Sequence, residues 1–131
     1  MMNQRKHYSQ MTAEEKRTIE SFSHSMPKWA RITNPHLKSK QSALNISTSD
    51  VLNTLWNGEV IEAHYNNAPD VRIVMRYKIQ SRDVCVCASM RGEVITAWLN
   101  GSTDHHATLD RSQYQWKTNL VTVFNTGKVS I

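Results

Sequence analysis

The sequence predicts an α+β domain, with N-terminal helices packed on a four- to five-stranded antiparallel β-meander. Three observations carry this. Capping residues at Thr12, Asn34 and Ser47 open helical segments in the first half. Beyond Gly58 the apolar residues recur at every second position, the period that a strand imposes. The alternating runs are joined by short stretches of turn formers, and joins of two or three residues permit only antiparallel neighbours.

Taken in order, the first eleven residues are polar and predict a frayed end. Thr12-Ala-Glu-Glu15 is a capping-box signature for a helix to about His24. Its apolar content is thin (Ala13, Ile19, Phe22), which predicts surface packing. Met26-Pro27 breaks it, and Trp29 and Ile32 anchor the following linker. Asn34-Pro35 starts a second helix, Asn as cap and Pro at the first helical position. On it Leu37, Gln41 and Leu44 share one side, and His36 and Lys40 another. Asn45 is the expected stop. Ser47–Asp50 opens a third helix that buries Val51, Leu52, Leu55 and Trp56 and ends at Gly58. Strands are expected at Glu59–Tyr65, Val71–Ile79, Asp83–Met90 and Glu93–Asn100, with a possible edge strand at Lys117–Phe124. The division that follows is an N-terminal helical extension over 1–32 and one α+β domain over 33–131.

Composition narrows the class. Of 131 residues, 39% are hydrophobic and 21% charged, ordinary values for a globular chain. No apolar run approaches the ~18 residues of a membrane helix, and the N-terminus lacks the apolar centre of a signal peptide. The expected compartment is therefore the cytoplasm, with no membrane partner. Cys85 and Cys87, two apart on one strand, place their Cα atoms roughly 6.5–7 Å apart, at or beyond disulfide reach. They also lack zinc-ligand spacing. Sixteen Lys and Arg against eleven Asp and Glu leave a charge of +5, which suits a polyanion without requiring one.

The stretch Val94–Trp116 holds the densest chemistry. A strand with Val94, Thr96, Trp98 and Asn100 on one face runs into Gly101, then into Ser102, Thr103, Asp104, His105, His106 and Thr108. Paired histidines, two threonines and a carboxylate exceed what a turn needs. A solvated loop capped by Asp104 and Thr108 is the bland alternative. On the strand Val71–Ile79, Arg72, Arg76 and Lys78 alternate with the apolar set. If helices cover the apolar face, these cations share the other with Thr96, Trp98 and Asn100. Cations that hold phosphate beside an aromatic that stacks a base make an RNA platform; an ordinary half-exposed sheet has the same residues without a ligand.

The helix with His36, the words ALNISTSDVLNTLWNGEVIE, and a meander ending in TAWLN…DHHATLD…Y resemble the small BrnT- and RelE-like toxins. These belong to the barnase–EndoU–colicin–RelE superfold of metal-independent ribonucleases, and the similarity covers about residues 34–114. The resemblance implies a basic helix beside a twisted sheet with RNA across it. By position it puts His36 and Lys40 on the family's early helix and Arg72 and Arg76 on its basic strand. Thr96, Asn100, His105 and Tyr114 fall in its C-terminal polar cluster.

Cleaving RNA without metal requires a base for the 2′-hydroxyl proton, an acid for the leaving oxygen, and donors for the charged phosphorane. Histidine suits the first two because its pKa lies near neutrality. The expected catalytic set is His105 or His106 with His36, and Tyr114 as an alternative acid. Lys40, Arg72 and Arg76 would hold phosphate, with Thr96, Trp98 and Asn100 orienting the RNA. His7, His24 and His64 read as surface residues. The expected partners are tRNA or mRNA and a cognate inhibitor protein, with no cofactor and no metal. A non-catalytic module binding RNA or protein through the same sheet is the second reading. A metal enzyme using Asp104, His105, His106 and His64 is third, since adjacent histidines seldom converge on one ion.

Overall fold

The computed structural model describes residues 4–100 and 117–126. Five antiparallel strands lie in chain order: β1 (Arg5–His7), β2 (Glu59–His64), β3 (Arg72–Ile79), β4 (Arg82–Ser89) and β5 (Val94–Asn100). The helices α1 (Ala13–Ser25), α2 (Pro35–Leu44), α3 (Thr48–Asn57) and α4 (Leu120–Thr126), with short 3-10 turns at Tyr8–Gln10 and Met26–Lys28, complete the described elements. The α+β class and the meander are as the sequence predicts.

The helices begin where their caps say. Thr12 and Ser47 each close a reciprocal capping box, with Glu15 and Asp50. The Asn34 side chain accepts from the amides of His36 and Leu37. Asn45 ends α2 in the left-handed region at φ 54°, ψ 48°. Gly58 is required by contact rather than by φ: a Cβ there would stand 2.3 Å from the Thr54 carbonyl oxygen and 2.8 Å from that of Arg76. At Gly92 both reasons apply, because φ is +100° and a Cβ would meet the Trp29 ring at 2.4 Å.

One core joins Val60, Ala63, Ile73, Met75, Val84, Val86, Ala88 and Ala97 of the sheet to Ile19, Leu37, Val51, Leu55, Leu120 and Val123 of the helices. Several expectations are corrected here. The N-terminal residues are not an appendage: β1 pairs with β2, and Met11, Ile19 and Met26 belong to the same core as the rest. Nor does α1 lie thinly on the surface. It buries Glu15 completely, where the Lys6 ammonium bonds both carboxylate oxygens at 2.7 and 2.9 Å. A charge in the core reads as polar in a periodicity argument, which is why the helix looked superficial. The expected edge strand at Lys117–Phe124 is instead α4, started by Asn119, with Leu120 and Val123 on its buried side. Trp56, expected in the core, is 60% exposed.

Candidate functional site on the outer sheet face

The helices cover one face of the sheet, and the register defines the other. Directly paired residues point to the same side, so four rows cross it. Arg5, His64, Arg72 and Ser89 form the first, and His7, Glu62, Val74, Cys87 and Thr96 the second. Glu59, Arg76, Cys85 and Trp98 form the third, and Lys78, Asp83 and Asn100 the fourth. Arg72, Arg76, Thr96, Trp98 and Asn100 thus share the face on which alternation put them. Two bulges change the rest. Irregularities at Val60/Glu62 and Cys87/Ala88 turn Ile61 and Ile95 outward, and Val94 goes into the core instead of joining Thr96.

The face is not an open cationic platform. Its centre is a second apolar cluster of Ile61, Val74 and Cys87, with Ile95 and Trp98 packed against it, and among the described residues no helix contributes to it. Trp98 therefore has a packing role, and burial pushes the Cys87 thiol up to about 11, far from a reactive thiolate. Most of the cations have carboxylate partners. Arg76 bonds Asp83 at 2.9 Å, which raises the guanidinium pKa further. Arg82, at the adjacent edge, donates to the Leu44 and Asn45 carbonyls and to Asp50, so it closes the end of α2 onto α3. Lys78 is exposed at the rim of a cleft of about 320 Å³ that Arg76, Ser81, Asp83 and Asn100 also line.

The first two rows together carry the most distinctive geometry. Glu62 is 4% exposed, and its Oε2 receives both Arg5, at 2.7 Å, and His64 Nε2, at 2.6 Å. Burial alone would raise its pKa, but the bond and charge of His64, then those of Arg5, reverse this and hold it at about 2. A buried anion thus fixes the His64 ring through Nε2, leaving Nδ1 as the other ring nitrogen. Arg72 stands directly across from His64. Its Nε is buried with no hydrogen-bond acceptor among the described residues. Asp70 lies 3.8 Å away, too far for a hydrogen bond, and accepts instead from the Ser89 hydroxyl at 2.5 Å. An unmet buried donor costs on the order of 1–3 kcal/mol, and an anionic oxygen would remove that cost.

His36 and Lys40 are exposed on α2, in the helical layer. That helix packs on β5, three strands or roughly 14 Å from β2, so they do not join the first row. His105, His106 and Tyr114 lie outside the described residues. The Glu62–His64 pair is missing from the sequence reading, which takes His64 as a surface residue or, in the third reading, a metal ligand; Glu-x-His on a strand puts both side chains on one face, and that spacing is the available signal. Among the described residues no group of three His, Cys, Asp or Glu side chains could hold a metal ion, and no helix is long and apolar enough to cross a membrane. Comparison with family models, curated proteins and solved structures returns no match to this chain.

Proposed function

We propose that the chain is a metal-independent endoribonuclease of the BrnT- and RelE-like kind, acting on tRNA or mRNA in the cytoplasm. The observation that carries the reading is the pairing of His64, held by the ionised Glu62, with Arg72 and its unmet buried donor. A phosphodiester oxygen on Arg72 would sit beside the His64 imidazole, a side chain of the type that serves as general acid or base. In this reading His64 takes the acid–base role that the sequence reading gives to His36. His105 or His106 supplies the second group and Tyr114 its alternative. Arg5 and Glu62 orient His64, and Lys78 and Asn100 receive a neighbouring phosphate at the cleft.

The test is incubation of the purified protein with total RNA in EDTA. Cleavage should leave 2′,3′-cyclic phosphate and 5′-hydroxyl ends, because an internal 2′-oxygen attacks. His64→Ala should lose ~10²-fold or more in rate, the scale of one general acid or base. The same loss is expected from one, and only one, of His105→Ala and His106→Ala. RNA bound but never cleaved would favour a non-catalytic module. Full activity in His64→Ala would remove this residue from the mechanism.

A further inference from the structure

On the helical side, away from the sheet, a second recess has a different character. Ser21, His24, Ser25, Pro27, Lys28 and Trp56 line a pocket of about 390 Å³. Trp56 is 60% exposed there, on a helix whose other face is buried at Val51 and Leu55. Exposing an indole to that degree leaves much of its apolar surface in water, and Trp is the residue most enriched among binding anchors. The surroundings are mostly basic. Arg17, Ser21, His24 and Lys28 follow one another at helical spacing, so they form a stripe along α1 and into the Met26–Lys28 turn. All three basic members are exposed. The one acid on that stripe, Glu14, stands a turn beyond Arg17, and Glu20 is already bonded to the Tyr8 hydroxyl.

We propose that this pocket is a docking site for an acidic segment of another protein, which seats one large apolar side chain against Trp56 and Pro27 and sets carboxylates along Arg17, His24 and Lys28. An open, largely apolar recess bordered by hydroxyls fits a side chain. A nucleic acid would call for more phosphate contacts than three spaced bases provide. The site is separate from the outer sheet face and does not depend on what that face does.

The probe is a helix-forming peptide of about 15 residues with leucines three and four apart and glutamate elsewhere, paired with a control in which lysine replaces glutamate. Binding to the full chain is followed by the indole resonance of Trp56. The glutamate peptide should shift it and bind at least ~10-fold more tightly than the lysine peptide. Trp56→Ala should weaken binding ~10-fold or more, and so should His24→Glu combined with Lys28→Glu, which leaves the tryptophan in place. Equal binding of the two peptides, or affinity unchanged by these substitutions, would overturn the proposal. So would displacement of the peptide by single-stranded RNA, which would make this a nucleic-acid site. Self-association abolished by Trp56→Ala would also overturn it, since the occupant would then be a second copy of the chain.

Discussion

Glu62 shows how one residue couples the stability of the sheet to its chemistry. Its carboxyl is held at about 2, below the ordinary 4.5. A depressed folded pKa stabilises the fold above the unfolded value, and this contribution is lost as pH falls from about 4.5 through 2. The full amount corresponds to about 3 kcal/mol at neutral pH. Glu62→Gln should therefore unfold at lower urea than wild type at pH 7, with the difference shrinking toward pH 2. Equal midpoints at pH 7 would show that Arg5 and His64 contribute nothing through this carboxylate. In the same variant the His64 ring loses its anionic partner, so any cleavage activity should shift its pH profile as well as its rate.

At the scale of elements, two junctions hold the layers together. Gly58 lets α3 run into β2 with the backbone of β3 alongside, and its φ of −74° is open to any residue. Gly58→Ala should therefore fail by contact alone, destabilising by about 1–3 kcal/mol, as overpacking does. A thermal midpoint equal to wild type would mean that the Thr54 and Arg76 carbonyls yield without cost. The second junction is Lys6 with Glu15. Lys6 also donates to the Thr118 carbonyl at 2.8 Å, and Glu15 accepts from the Leu120 amide at 2.8 Å. One buried ion pair thus ties β1, α1 and the start of α4. Lys6→Met leaves the carboxylate buried without its counter-charge, which should cost about 3–5 kcal/mol. Lys6→Met with Glu15→Gln should recover part of that loss. Hydrogen exchange at the α4 amides should accelerate more than at β4 in the single variant. A double variant no more stable than Lys6→Met would contradict the account.

For the whole molecule, the net charge of +5 says less than its distribution. Arg5, Arg72 and Arg76 each face a carboxylate, and Arg82 closes a helix end. An RNA bound across this face would draw on Arg72, whose Nε is unmet, and on exposed Lys78. Arg72→Ala and Lys78→Ala should each reduce the salt dependence of RNA affinity by nearly one unit of slope. Arg76→Ala should change the slope less, because its charge is already balanced by Asp83 at 2.9 Å. Equal effects of all three, or none, would argue against this assignment of contacts.

The sequence by itself determined the helices α1 to α3 and the strands β2 to β5, though not β1 or α4. Thr12, Asn34 and Ser47 announce helix starts because only a short polar side chain satisfies the first amides, and strict alternation announces strands because the pleat has a period of two. It also determined that Arg72, Arg76, Thr96, Trp98 and Asn100 share a face, through that same period. What the tertiary structure decided lies in contacts between distant residues. The bulges at Val60/Glu62 and Cys87/Ala88 shift the alternation by one residue, and local pattern does not mark where a strand absorbs an extra residue. Lys6 and Glu15 are polar letters whose burial follows only from meeting each other and α4. The pairing of His64 with Arg72 depends on register between strands joined by a seven-residue link. Register is a long-range property, so it is the fold that sets His64, a surface residue in the sequence reading, directly across from Arg72.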